Sequence, residues 1–274
     1  MAHTLQERWS QLVDIKLRAN LVKRNGIIFN TRYEGDPKAG AVKIPVRDTE
    51  ATVAAYAKAT GASLTQGGTT YITQDIDKDY AVNELIDGFD AAAVPDNLTA
   101  DRLDSAAYSL ALQMEKDATE VLEAKATAFG GTTALTKSTI YDAFVDIRTE
   151  LSKVYVPNDG RFALVTPDVY GLLLKNDNFI HASDLGDRVL QTGAVGQIAG
   201  ILIFEDATLS PTTEIIAGHP NWCARVEEWQ VPVHLQDLSG SGTFIGASAV
   251  QGRKIYAHAV TKPTTLLIKK KSGT

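Results

Sequence analysis

Residues 61–87, GASLTQGGTTYITQDIDKDYAVNELID, place the tightest constraint on what this chain can fold into. The stretch is long, polar and strand-like, and it holds few large apolar side chains. A strand is stable only beside a partner strand and under a covered face, so this one needs help from elsewhere. Upstream, AVKIPVRDTEATVAAYAK (41–58) also carries strand-like segments, and GASLTQGG (61–68) between them reads as a flexible tip. Residues 41–83 therefore read as one long two-armed hairpin. By the two-residue period, Asp75, Asp77 and Asp79 share one face of the return arm, and Lys43 and Arg47 share one face of the outgoing arm. Charge pairing across the arms or between subunits is one reading; two solvated faces is the plainer one.

The rest of the chain alternates helical and strand patterns. Residues 5–24 carry Leu5, Trp9, Leu12, Val13 and Leu17 at helical spacing, and NTRYEGDPKAG (30–40) is a turn-rich break. The clearest helix runs from about Leu98 to Phe129, with Leu103, Ala107, Leu110, Met114, Ala118 and Val121 on its stripe. Asn97 or Thr99 suits its start, and Gly130-Gly131 its end. At 1.5 Å per residue it is a rod of roughly 45 Å, longer than a compact domain of this size requires. A second helix is expected over 139–154, with Ile140, Phe144, Ile147 and Leu151 inward and Ser138 or Thr139 as cap. FALVT (162–166) reads as a buried strand, Thr166-Pro167 as a helix start, and ILIFED (201–206) as another strand. From 213 to 270 strands and turns dominate, which makes an α+β body.

Composition narrows the function classes. A hydrophobic share of 44% suits a globular fold, and no apolar run reaches the length of a membrane span. The first twenty residues have mixed charge and lack the apolar core of a signal peptide, so synthesis in a cytoplasm is the default expectation. Cys223 is the only cysteine, which excludes an intramolecular disulfide and a thiolate metal cluster. A net charge of −6 argues against a dedicated nucleic-acid binder.

No catalytic constellation emerges. Asp75, Asp77 and Asp79 begin like a calcium loop, but Tyr80 and Ile86 stand where glycine and glutamate are needed. The glycines of GAVGQIAG (193–200) precede a strand instead of a helix, so they cannot cradle a phosphate in the usual way. No two of the five histidines lie at metal-ligand spacing on one element, and Ser248 lacks the second glycine of a nucleophile elbow. Lys269, Lys270 and Lys271 read as a solvated basic tail. Catalytic, cofactor-binding and metal-ligating residues are therefore expected to be none.

The order of these segments resembles the major capsid proteins of tailed bacteriophages with the HK97-type fold. The hairpin running into ITQDIDKDYAVNELIDGFDAAAV, and then the long helix, resemble that family's extended loop and spine helix. VPNDGRFALVTPDVYGLLLKNDNF (156–179) and GAVGQIAGILIFEDATL (193–209) resemble its axial-domain segments, and AVQGRKIYAHAVTKPTTLLIKK (249–270) the closing strands of its peripheral domain. The resemblance implies an HK97-like capsid fold. Its parts would be an N-terminal arm (1–40), an extended β-hairpin loop (41–83), a peripheral domain with the spine helix (84–137), an axial domain (138–240) and closing peripheral strands (241–274). It implies a non-enzymatic shell protein that assembles as pentamers and hexamers into an icosahedral virion capsid enclosing double-stranded DNA, without sequence specificity, without a membrane and without cofactors. Assembly would take place in the host bacterial cytoplasm.

A neighbouring subunit would then do the burying that residues 61–87 need. Tyr56, Lys58, Asp75 and Asp77 on the loop and Trp9 and Arg18 on the arm are the expected contacts, with Lys43 and Arg47 as the charge complement. The arm begins at once, so a separate scaffolding protein and a portal protein are expected partners. Lys58 lies near the tip, where some relatives carry a cross-linking lysine, but no partner asparagine or catalytic carboxylate is evident in the sequence. Two alternatives remain: an encapsulin-type protein compartment, told apart by its contents, and a hydrolase or nucleotide-binding enzyme, which needs a convergent set of titratable residues.

Overall fold

A computed structural model describes residues 18–32, 40–46, 50–62, 64, 66–89, 98–176, 196–240 and 242–271. Its centre is a sheet of six strands in the order β4-β11-β8-β5-β7-β6. These are β4 (Thr127–Ala128), β5 (Phe162–Val165), β6 (Gly196–Ile198), β7 (Ile201–Glu205), β8 (Thr213–Gly218) and β11 (Leu267–Lys270). Every residue of β5 and β8 is buried, as expected of strands covered on both faces. Alternation divides their side chains between two clusters. Ala163, Val165, Ile215 and Ala217 face α2 (Ile140–Lys153) and α3 (Pro167–Leu174). Phe162, Leu164 and Ile216 face the other way, onto Ile28, Phe29, Ala118 and Leu122.

The local chemistry explains these elements. Ile140, Phe144, Ile147 and Leu151 form one helical face of α2, each at most 1% exposed. The helix ends in a Schellman arrangement: Val156 N–H reaches Leu151 O at 3.0 Å and Tyr155 N–H reaches Ser152 O at 3.1 Å. Tyr155 occupies the left-handed position usually held by glycine, with φ at 59°. Arg161, buried beneath it, donates to the carbonyls of Arg148, Pro157 and Val156, so its guanidinium closes the same helix end. Between β6 and β7, Ala199 and Gly200 both have positive φ, and Ile198 pairs with Ile201 across them. The glycine-rich stretch is thus a two-residue hairpin turn, as far as it lies within the described residues.

A three-stranded antiparallel sheet, β3-β10-β9, extends from this body. It comprises β3 (Lys78–Ile86), β9 (Cys223–Asp237) and β10 (Ser248–Val260). The long helix, α1 (Leu98–Lys125), lies across it, with Leu103 and Ala106 against Ile86, Val250, Val82 and Val233. Gly252 permits the close approach: a Cβ there would come within 2.8 Å of Val233 and 3.2 Å of Leu110. The third unit is a two-stranded hairpin, β1 (Ala41–Val46) and β2 (Thr70–Asp75), with Ile44 and Val46 packed on Ala224 and Ala259.

Several expectations need correction. The helix expected over 5–24 falls partly outside the described residues, and 18–24 are not helical. Their N–H groups are used elsewhere, Ala19 donating to Tyr108 Oη and Lys23 to the Glu115 carboxylate. The hairpin expected over 41–83 ends at Asp75, and Asp79 belongs to β3 in the other sheet. The long helix stops at Lys125, short of Phe129, because Thr127 and Phe129 donate to Leu266 O and Ile268 O and so pair with β11. Two strands also cross the expected domain division. β9, placed in 138–240, joins the sheet of β3 and β10, while β11, placed in 241–274, returns to the six-stranded sheet.

Candidate assembly surface

The segment between β1 and β2 has side chains for contact, and none of its described residues is buried. Residues 51–60 are all exposed, and they include Val53 at 95% and Tyr56 at 75%. Leu64 is fully exposed, and Tyr71 on β2 is 65% exposed. Among the described residues of the loop, local order takes the form of a turn in which Gly61 N–H reaches Ala57 O at 2.7 Å, with Lys58 inside it. Ile44 and Val46 therefore anchor the ladder next to the loop, and the loop's described residues beyond it are bare. A row of large apolar side chains left in water is unfavourable by roughly 1.5–3 kcal/mol for each one that burial would cover.

The sequence-predicted residues fall into separate places. Tyr56 and Lys58 lie on the bare loop. Asp75 closes β2 opposite Ala41, and Asp77 sits in the link to β3. Both line a cleft of about 350 Å³ with Lys78, Glu120, Lys125 and His258. Lys43 pairs across the hairpin with Thr73, not with an acidic residue. Asp79 is removed from the expected acidic row: Arg253 of β10 grips it through two bonds, Nε–Oδ1 at 2.8 Å and Nη2–Oδ2 at 2.5 Å, and this hydrogen bonding to Arg253 holds its carboxyl below the usual range. Arg18, expected to reach a neighbour, bonds to Asp104 of α1 at 2.5 Å and stacks 4.9 Å over the Tyr108 ring; the Asp104 bond raises its pKa. Trp9 and Arg47 lie outside the described residues.

The sequence reading missed a buried polar seam under α1. Glu115, Asp117 and Thr119 are buried together with Ala118, so the inward side of this helix is half polar, while Ala107 of the expected stripe is exposed. Hydrophobic periodicity counts apolar residues alone and passes over such a seam. Each member has a partner. Tyr256 Oη donates to Asp117 Oδ2 at 2.7 Å, and burial followed by this bond pushes the phenol pKa up. Lys23 reaches Glu115, Asp206 and Thr208. Arg225 Nε donates to His258 Nε2 at 3.0 Å and its guanidinium lies 4.7 Å over the Phe29 ring. Since Nε2 accepts, the neutral ring carries its proton on Nδ1. Burial first, and then the Arg225 charge, pull the His258 pKa down to about 3.

Among the described residues, no group of three or more His, Cys, Asp or Glu side chains could hold a metal ion, and no helix is long and apolar enough to cross a membrane. Cys223 is buried, and desolvation pushes its thiol up to about 12. The arrangement is suited to contact between macromolecules: a packed body, and a loop with unburied aromatic and aliphatic groups.

Comparison with known proteins agrees. A family described as phage capsid protein matches residues 57–233. No curated protein matches the chain. Among solved structures, one from Mycobacterium phage Che8 superposes with a TM-score of 0.78 at 25% identity, covering 98% of both chains. The capsid of the cyanophage P-SCSP1u gives 0.73 at 13% identity over 98% of this chain and 93% of that one. The mature capsid of bacteriophage PhiM1 gives 0.70 at 16% identity, over 99% and 93%. The fold is that of HK97-type capsid proteins.

Proposed function

Because the chain belongs to the phage capsid protein family, and so is a major capsid protein of an icosahedral phage head, we propose that the bare loop between β1 and β2 is its principal intersubunit contact. The observation that carries this is the exposure of Val53, Tyr56 and Leu64 on a loop that leaves a strand pair anchored by Ile44 and Val46. A neighbouring copy covers these side chains in the shell. Each contact is weak, and closed symmetry multiplies it over many copies. Asp75 and Asp77, exposed at the end of the hairpin away from the loop, present negative charge to a neighbouring copy.

The chain's role is structural. It forms pentamers and hexamers in the virion, encloses double-stranded DNA without reading its sequence, and assembles in the host cytoplasm with a separate scaffolding protein and a portal. The mild net charge of −6 supports an inner surface that does not grip DNA tightly.

Negative-stain electron microscopy of the purified chain, beside size-exclusion chromatography, tests the reading. Shells or rings of five and six are expected, with scaffold or crowding agent added where the chain alone stays monomeric. Nucleic acid inside shells recovered from infected or induced cells separates a head from a cargo compartment. Persistent monomers under all these conditions, with a scattering profile showing no projecting arm, would overturn it.

A further inference from the structure

The buried seam brings one amine into contact with two carboxylates. Lys23 is fully buried, and its ammonium meets two carboxylates carried by two other elements. Nζ donates to Asp206 Oδ2, lies 3.3 Å from Glu115 Oε2, and donates to Thr208 Oγ1 at 2.7 Å. Asp206 is fully buried and Glu115 is 4% exposed. Val22, Ala118, Phe204 and Leu209, all members of one apolar cluster, are sequence neighbours of the three charged residues. The other oxygen of Asp206, Oδ1, accepts from the N–H of Thr208 at 2.8 Å and from its hydroxyl at 2.7 Å. The carboxyl is thus held in place, with donors aimed at the oxygen that would carry negative charge during attack at its carbon.

An amine and a carboxyl fixed in contact in a dry site meet the main requirement for acyl transfer, which is proximity. Charge separation there is costly, and an amide has none. A second carboxylate touching the same nitrogen supplies a carrier for the proton that must move. We propose that Lys23 and Asp206 condense to an intramolecular amide, an isopeptide bond, with Glu115 as the catalytic proton carrier.

In this step the Nζ–Cγ bond forms and one Cγ–O bond of Asp206 breaks. The ammonium and the carboxylate become an amide and one water. Both protons lost from Nζ leave with the departing oxygen, one of them relayed by Glu115, which ends as it began. No oxidant, reductant or further reactant is consumed. Burial pushes the Glu115 carboxyl pKa up, which favours the protonated form that hands its proton to the leaving oxygen. Afterwards Glu115 still feels the positive charge of Arg225, so the product strands no carboxylate without a nearby cation. The bond would join residues 183 positions apart and fasten the N-terminal segment to the body.

This inference goes beyond the capsid reading and does not depend on it. The test is the intact mass of the purified full-length chain, with peptide mapping. The wild type is expected to be lighter than its sequence by one water, with the Lys23 and Asp206 peptides joined and trypsin unable to cut after Lys23. Lys23→Arg and Glu115→Gln are expected at full mass. A wild-type chain that unfolds cooperatively yet shows full mass throughout would overturn the proposal, as would a water loss mapped to other residues. Loss of water retained in Glu115→Gln would overturn the role given to Glu115. Microscopy of the same samples reports assembly separately, so either reading can fail without the other.

Discussion

The six-stranded body and the loop between β1 and β2 divide the chain into a part that satisfies itself and a part that does not. In the body, β5 and β8 are buried on both faces, and a single helix end is closed by the Schellman bonds and by Arg161. Along the loop, residues 51–60 bury nothing. The same chain thus holds side chains that are buried within one subunit and, under the proposed function, side chains whose contribution would appear only between subunits. A mutation in each should therefore fail in a different assay.

The largest expected effect is in the body. Phe162→Ala empties a site in the β5 cluster where the side chain is fully buried, and should cost about 3–5 kcal/mol in denaturant unfolding; assembly then falls because the subunit does. A result below about 1 kcal/mol would mean that the two clusters are not the source of stability. On the loop, Tyr56→Ser with Leu64→Ser should leave unfolding within about 0.5 kcal/mol of wild type while shell yield by sedimentation falls several-fold. Reversal of Asp75 and Asp77 to Lys should likewise lower shell yield in a folded subunit. Normal assembly by either of these variants would break the comparison.

The His258 ring offers a pH test confined to the self-satisfied part. Its folded pKa, about 3, lies below the ordinary 6.5. A depressed base takes up its proton more readily when unfolded, so its contribution is complete above pH 6.5 and is lost as pH falls toward 3. The urea midpoint should drop over that window, and His258→Gln, which keeps an acceptor for Arg225, should flatten the drop. An unchanged slope would remove His258 from the account. The smallest effect is expected at Tyr155, 93% exposed and held at positive φ. Tyr155→Gly should stabilise the subunit by up to about 1 kcal/mol, since relief of the left-handed strain outweighs the added chain entropy.

Much of the body was legible because its signals are local. Ile140, Phe144, Ile147 and Leu151 repeat at helical spacing, FALV is an uninterrupted apolar run, and Thr166-Pro167 opens a helix; each pattern needs only its own neighbours to be read. The bare character of the loop was legible for the same reason, as a stretch with too little to bury. The candidate contacts were less so. Arg18 read as a contact to a neighbouring subunit and Asp79 as part of an acidic strand face, and each is held by a residue far along the chain, Asp104 and Arg253.

By itself, then, the sequence determined the α+β class, the positions of α2, α3, β5 and β7, the shortage of large apolar side chains along residues 61–87, and the absence of a recognisable catalytic motif. The tertiary structure alone decided which sheet each strand joins. It sent β9 outward and β11 back, and it ended α1 at Lys125 by pairing Thr127 and Phe129 with β11. It also assembled the seam of Lys23, Glu115 and Asp206 from segments 92 and 183 residues apart from Lys23. The physical reason is range. Periodicity and caps act over a few residues along the chain, whereas strand pairing and the partners of a buried charge are chosen among all surfaces that folding brings together.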